Sequence, residues 1–371
     1  MPDLFFYGTL RHVPLLERVL GRSADTVSLS EAILPDHSVF AVQDQIFPMI
    51  RPEPGGMAEG IFVPGISAVE LDRLAYYEGG FDYGLLDRAV RLSNGTTAQA
   101  QVFFPETGKW QADGPWSLTD WVDRWGDINA LAAEEEMAYF GRIDPHTMTR
   151  STRAIQTRAW AKLLARQRQT DDPRDISRDV VVHRHTRAYV NYFGLEEIDL
   201  QHRRNDGTMG PVLNRGSLMQ GAAIVVLPYD PVRDTVLIVE QFRPPVFLID
   251  DPEPWMWEAI AGMVDPGEAP EQAVHREVME EAGVTLSALE HVGGAYSSGG
   301  SSTGYVYLYV GLGDLTETTS AGGLESEGED IRSQILPFDE FMDLVDRHVF
   351  KDLPMLTLAY WLDRHRDRLR G

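Results

Sequence analysis

The sequence predicts a two-domain protein of α+β and α/β character: a mixed, strand-rich first domain, a helical connector, and a sheet covered by helices. Three observations carry this. From Met1 to about Pro115, strand-like runs such as "DLFFYGTL" and "TTAQAQVFFP" alternate with turns around one short amphipathic helix, "PLLERVLG". Between Ser117 and Gln169 the apolar residues move to helical spacing, and beyond Pro173 several strand patterns are followed by helical ones. The expected boundaries are 1–115, 116–172 and 173–371.

With 371 residues, 43% apolar and 10% aromatic, the chain can build a core in each domain. Lys and Arg number 33 against 57 Asp and Glu, a formal charge of −24. Such a charge repels nucleic-acid backbones and anionic lipid, so neither nucleic acid nor membrane is expected as a partner. A phosphate-bearing ligand then needs a metal ion or a local basic pocket. The absence of cysteine excludes disulfides, thiolate nucleophiles and cysteine-based zinc sites, and fits a reducing compartment. "MPDLFFYGTL" lacks a basic start and turns polar early, unlike a secretory signal, and no run nears the roughly 18 apolar residues of a membrane helix. A cytoplasmic location is expected.

In the connector Trp121 and Trp125 stand four apart. Its later part, "RSTRAIQTRAWAKLLARQRQ", holds several bases and no acid, which reads as a solvated face or as a docking surface for the acidic remainder. "TDDPRD" reads as a hinge, because acids around a proline discourage helix continuation. Beyond it, "DVVVHRHTRAYV", "GAAIVVLPYDP", "TVLIVEQFR", "WMWEAIAGMV" and "GYVYLYVGLG" read as strands. "DEFMDLVDRH" and "LPMLTLAYWLDRHRDRLR" read as the covering helices.

Between the fourth and fifth strands lies "AGMVDPGEAPEQAVHREVMEEAGV", residues 261–284. Pro270 suits a first helical turn and Gly283 a C-terminal cap, so a helix is expected from about Ala269 to Ala282. Glu277, Glu280 and Glu281 then stand at i, i+3 and i+4 on one side of it. Like charges at this spacing repel, so something positive belongs among them, and carboxylate oxygens suit Mg²⁺ better than zinc. Three glutamates alone would read as a solvated acidic face. The wider spacing decides otherwise: Gly262, five residues, Glu268, seven residues, Arg276-Glu277-Val278, one residue, Glu280-Glu281, one residue, Gly283-Val284 resembles the Nudix box at each defined position.

That resemblance implies a C-terminal Nudix α/β/α sandwich with a mixed sheet. It also implies hydrolysis of nucleoside diphosphates linked to another group, with Mg²⁺ or Mn²⁺ on the box glutamates. Carried over, Glu277 and Glu281 are the main metal ligands, Glu281 with a catalytic part, while Glu280 shares the site and the Ala261 carbonyl completes it. Arg276 orients and neutralises a box glutamate, and Glu268 supports the loop-helix-loop geometry.

Outside the box, "LPYDPVRDTVLIVEQFRPP" and "WEAIAGMVDPGE" are similar to the ADP-ribose pyrophosphatase branch of that family. The likeness implies that Arg243 contacts substrate and that Glu258 lies beside the active site; alone, "EQFR" reads as a strand end with a solvated arginine. "ESEGEDIR" resembles the acidic loop that supplies the catalytic base, Glu327 first and Glu329 second, and otherwise reads as a solvated charge run. "AYSSGGSSTG" aligns with the loop that places the substrate, where Gly299 and Gly300 let backbone approach a ligand. Ser298 stands where ADP-ribose-type members carry proline, and Thr303 where many carry glutamate, which leaves the reaction class intact and opens the substrate. Gly300 to Gly304 also fits G-x-S-x-G, yet a nucleophile elbow needs a helix after it, whereas "GYVYLYV" alternates as a strand. Relatives of this branch form homodimers, so the resemblance implies a homodimer.

In the first half, "FFYGTLR" and "LDRLAYYEGGFDYGLLDRAV" resemble the gamma-glutamylcyclotransferase, or AIG2-like, superfamily over roughly residues 3–115, by a Tyr-Gly-Thr-Leu loop, a Glu-Gly, and downstream Tyr83 and Arg88. The resemblance implies a mixed β-barrel with helices. In active relatives the glutamate matching Glu78 takes a proton from the α-amine of a γ-glutamyl substrate, which closes to 5-oxoproline, while Tyr7, Gly8, Thr9 and Leu10 form the substrate loop. Members of the fold with no demonstrated chemistry leave a binding module open. The two resemblances in this order are similar to a bacterial fusion associated with tellurite resistance. The expected reaction is ADP-ribose plus water giving AMP and ribose 5-phosphate. The alternatives are another nucleotide sugar or dinucleotide as substrate, and a metabolite sensor without turnover.

Overall fold

The run Leu-Phe-Phe at the start of the chain is apolar at each position because the strand it forms, β1 (Leu4–Phe6), is covered on both faces. Leu4 and Phe6 pack with Leu15, Leu16 and Val19 of the helix Val13–Leu20, while Phe5 packs with Leu34, Ile50, Val90 and Val102. Those last residues lie on β2 (Ser30–Val42), β3 (Pro48–Val63), β4 (Tyr83–Leu92) and β5 (Thr97–Pro105). In the ring order β1-β3-β2-β4-β5 the five close into a mixed barrel, parallel only between β1 and β5. A short β6 (Ala112–Pro115) pairs with β2. In this computed structural model, residues 1–79, 83–316, 318, 322–323 and 328–371 are described, residue 24 by its backbone alone.

Two barrel strands are longer than the short runs expected: β2 has 13 residues and β3 has 16. Pro35, Pro52, Pro54, Gly55 and Gly56 interrupt their apolar alternation, and a bulge between Pro35 and His37 bends the pair. Gly60 is where β3 meets β1, since a Cβ there would lie 2.4 Å from the Phe5 ring.

The connector folds as helices that include Asp127–Glu136 and Thr152–Arg166. Its basic run is not a uniformly solvated face, because Arg158 is only 2% exposed. That guanidinium forks onto Glu135, with Nε to Oε1 at 3.0 Å and Nη2 to Oε1 at 2.6 Å, and donates to the Asn191 and Tyr192 carbonyls at 3.3 and 2.8 Å. Both carbonyls belong to the turn between β7 (Val180–Val190) and β8 (Gly194–His202), and the Tyr139 hydroxyl holds the Tyr189 carbonyl at 2.9 Å. A buried cation needs these acceptors around it. The hairpin after "TDDPRD" therefore packs into the first of two compact units, Met1–Gly216 and Ser217–Gly371.

After β9 (Leu213–Met219), the second unit is built on one mixed sheet of β10 (Ala223–Asp230), β11 (Thr235–Phe242), β12 (Trp255–Glu258), β13 (Ile260–Met263), β14 (Leu286–Tyr296), β15 (Tyr305–Gly313) and β16 (Arg332–Pro337). The order is β12-β11-β10-β15-β14, with β13 on β10, β16 on β11, and β10 parallel to β15. "WMWEAIAGMV", expected as one strand, divides at Ala259. The cause is that β10 and β11 pair only near their turn, at Tyr229/Val236 and Asp230/Thr235, so β13 takes the place beside Ala223 to Val226 while β12 stays on β11.

One face of the sheet carries the helix Pro270–Ala282. The other carries Phe338–Asp346 and Leu353–Arg370, whose Phe338, Phe341, Met355 and Leu358 pack with Val225, Leu227 and Ile238. Burial on both faces explains why β10 is apolar almost throughout. The architecture is the α/β/α sandwich with a mixed sheet. Among the described residues no helix is long and apolar enough to cross a membrane.

Removing one partner of a buried ion pair strands the other. Arg158→Leu is therefore expected to cost about 3–5 kcal/mol of unfolding free energy in urea titrations, with part recovered by adding Glu135→Leu.

Candidate active site

The box helix begins at Pro270 with Ala269 as its N-cap, where the Gln272 side chain accepts the Ala269 N–H at 2.9 Å, and it ends at Gly283 in the left-handed region, φ 66°. Glu277 passes directly over β13, and a Cβ on Gly262 would lie 1.8 Å from Glu277 Oε1. Glycine leaves that space to the Glu277 side chain. Arg276 gathers the motif: it bonds Glu268 through Nε and Nη2 at 3.1 and 3.0 Å, Glu277 Oε1 at 2.7 Å, Glu280 Oε2 at 3.2 Å and the Met263 carbonyl at 2.9 Å.

Glu281, by contrast, is 3% exposed, and among the described residues its buried Oε2 has no hydrogen-bond partner. Burial, then the nearby Glu277 and Glu329, push its carboxyl up to about 9, with Arg243 pulling the other way. Burial likewise lifts Glu277 to about 7 against the pull of Arg276. Arg243 sits at the N-cap of the short helix Pro244–Leu248 and forks onto Glu258, with Nε 2.9 Å from Oε2 and 3.1 Å from Oε1. Glu258, at the end of β12, is itself buried. Asp352 joins this group: it caps Leu353–Arg370 by accepting the Met355 N–H at 2.9 Å, and burial followed by Glu258 raises its carboxyl. Sequence reasoning passed over Asp352, although an Asp two residues before Pro354 was a helix-start signal.

Of the two candidate bases, Glu327 lies outside the described residues. Glu329 is near enough to Glu277 and Glu281 to disfavour their charged forms. Its segment is seated on the last turn of the box helix, where the Gly323 N–H donates to the Glu280 carbonyl at 3.1 Å and a Cβ on Gly322 would lie 1.7 Å from the Glu281 carbonyl oxygen. These glycines were not singled out from the sequence. Ala261 lies on β13 opposite Val225. Gly299 and Gly300 occupy the exposed turn between β14 and β15. Thr303 instead fixes that turn by accepting the Gln220 N–H at 2.8 Å.

Among the described residues no three acidic or imidazole side chains are drawn together as a ready-made metal cage, because Arg276 holds Glu277 and Glu280. The donor set still suits a hard divalent cation: it is all oxygen, strongly acidic, and includes the unpartnered Glu281 Oε2.

In the first unit, β1 runs into a tight turn, Thr9–Arg11, closed by the Arg11 N–H on the Gly8 carbonyl at 3.0 Å. Tyr7, Gly8, Thr9, Leu10 and Glu78 line one cavity of about 380 Å³. Gly8 lies close under Pro48, whose carbonyl accepts the Tyr83 hydroxyl at 3.0 Å. Glu78 is the second-last residue of the helix Ala68–Gly79, and burial pushes its carboxyl up to about 7. Arg88 is not part of the lining; its guanidinium sits over the Phe104 ring at 4.8 Å.

Known families cover both parts of the chain. The NUDIX domain matches residues 219–358, and Gamma-glutamyl cyclotransferase, AIG2-like, matches residues 4–123. The ADP-ribose pyrophosphatase of Escherichia coli K12 is 31% identical over 194 residues, 52% of this chain and 92% of that protein. Its Haemophilus influenzae counterpart is 36% identical over 152 residues, covering 40% and 69%. The GDP-mannose pyrophosphatase of Cronobacter sakazakii is 31% identical over 186 residues, covering 49% and 91%. With a box helix, a sandwich and relatives matched over most of their length, the chain belongs to the Nudix hydrolase family and carries an AIG2-like domain ahead of its Nudix domain.

Proposed function

We propose that the second unit hydrolyses the pyrophosphate of ADP-ribose to AMP and ribose 5-phosphate with the help of Mg²⁺ or Mn²⁺. The observation that carries this reading is Glu281, buried, with an unpartnered oxygen, beside Glu277, Glu258 and Arg243. Glu277, Glu280, Glu281 and the Ala261 carbonyl would hold the divalent ion, which when bound polarises a phosphoryl oxygen and acidifies a water. Arg276 keeps Glu277 and Glu280 in place through its bonds to Glu268 and the Met263 carbonyl. Arg243, held by Glu258, supplies positive charge for the diphosphate oxygens and positions the linkage. Glu329 takes the proton of the attacking water; Glu327 is its rival. Water adds to one phosphorus, the bridging oxygen leaves with the other phosphate, and two monophosphates result.

The substrate is argued from the relatives named ADP-ribose pyrophosphatase, and the GDP-mannose pyrophosphatases make other nucleotide sugars the rivals. The reading includes a homodimer formed through the second unit.

A second reading concerns the first unit. The raised Glu78 carboxyl, in a cavity bordered by Tyr7 to Leu10, favours a cyclotransferase-type proton transfer over a purely structural barrel.

Assayed by phosphate release after phosphatase treatment, ADP-ribose should rank first among nucleotide sugars and dinucleotides, and a low rank would reject it as substrate. Hydrolysis should stop with chelator, return with Mg²⁺ or Mn²⁺, and be abolished by Glu281→Gln. Glu329→Gln should lower kcat about 10²–10⁴-fold; a larger fall with Glu327→Gln would transfer the base to that residue. For the first unit, γ-glutamyl amines should yield 5-oxoproline with the full chain and none with Glu78→Gln.

A further inference from the structure

The cavity of the first unit has a second carboxylate. Glu136 lines it from the helix Asp127–Glu136, and the helix Thr152–Arg166 adds Gln156, so part of the wall comes from residues beyond the 4–123 match. Glu136 is 7% exposed. Its neighbour Glu135 is engaged by Arg158, but Glu136 itself has no hydrogen bond or ion pair among the described residues.

Its position makes this costly. Glu136 is the last residue of one helix and Glu78 the second-last of another, so both carboxylates stand where outward-pointing carbonyls and the helix dipole already concentrate negative potential. Burial, then Glu135 and Glu78, push the Glu136 carboxyl up to about 8, with no cation among the described residues pulling the other way. Arg153 also reaches the cavity, from an exposed position. The remaining wall is largely aromatic, with Tyr7, Phe47, Tyr77 and Trp121, and ring faces favour organic cations. A ligand bearing N–H donors and positive charge would satisfy both acids at once; an anion would be repelled.

We propose that Glu136 and Glu78 jointly bind the ammonium group of an organic amine in this cavity, with Glu136 as a specificity-determining residue supplied from beyond the AIG2-like match. The inference shares its cavity with the cyclotransferase reading but not its outcome, since binding requires no turnover by Glu78.

Calorimetry on the full chain with n-butylamine, n-butanol and butyrate tests it. The amine should bind saturably at neutral pH and the alcohol and acid should not. Glu136→Gln should weaken amine binding about tenfold or more, while the exposed Glu59→Gln leaves it unchanged. An unchanged circular dichroism spectrum and thermal unfolding profile report that the Glu136→Gln protein is folded in both units. No saturable amine binding, equal binding of n-butanol or butyrate, or an unchanged affinity in Glu136→Gln would each overturn the proposal. Amine binding without 5-oxoproline release would reject the cyclotransferase reading alone.

Discussion

A single guanidinium holds the second unit's motif together. Arg276 bonds the loop through Glu268 and the Met263 carbonyl, and the helix through Glu277 and Glu280. Without it, three glutamates within five residues of one helix would drive loop and helix apart. With it, Glu277 and Glu280 are bonded by a cation, while among the described residues Glu281 keeps one oxygen without a hydrogen bond and feels the positive charge of Arg243. Two carboxylates are thus positioned by a bonded guanidinium, and the third is not.

The same tension recurs in the first unit in another form. There the acids are not clustered on one helix but brought in from two, Glu78 from Ala68–Gly79 and Glu136 from Asp127–Glu136. In both units an acid is kept away from water at a cost that a folded chain tolerates when a ligand repays it. The sheets differ, a closed barrel in one unit and an open mixed sheet in the other, yet in each a glycine stands where a neighbouring side chain comes close. Gly262 admits Glu277, and Gly8 lies against Pro48.

What could be read from the sequence followed the range of the interactions involved. The box helix was legible nearly to the residue because a proline start, a glycine stop and an i, i+3, i+4 pattern are all local. Strands β10, β11 and β15 were legible as apolar runs. The break of "WMWEAIAGMV" at Ala259 was not, since it depends on β10 and β11 separating elsewhere in the sheet. Asp352, Gly322 and Glu136 were missed for the same reason: each acquires meaning from a partner far along the chain or from a cavity wall. Arg158 looked like one base in a solvated run, and its burial and its partners Glu135, Asn191 and Tyr192 appear only in the fold.

The grip of Arg158 on the turn at Asn191 and Tyr192 also bears on how such a fusion can be inherited. Sequence kinship in the front half stops at residue 123, whereas physical integrity continues to Gly216. Shuffling of these genes at the edge of the recognisable AIG2-like module would sever the barrel from helices that wall its cavity and from the hairpin that shields a buried cation. The physically continuous piece is thus larger than the recognisable module, and the boundaries of kinship and of contact do not coincide.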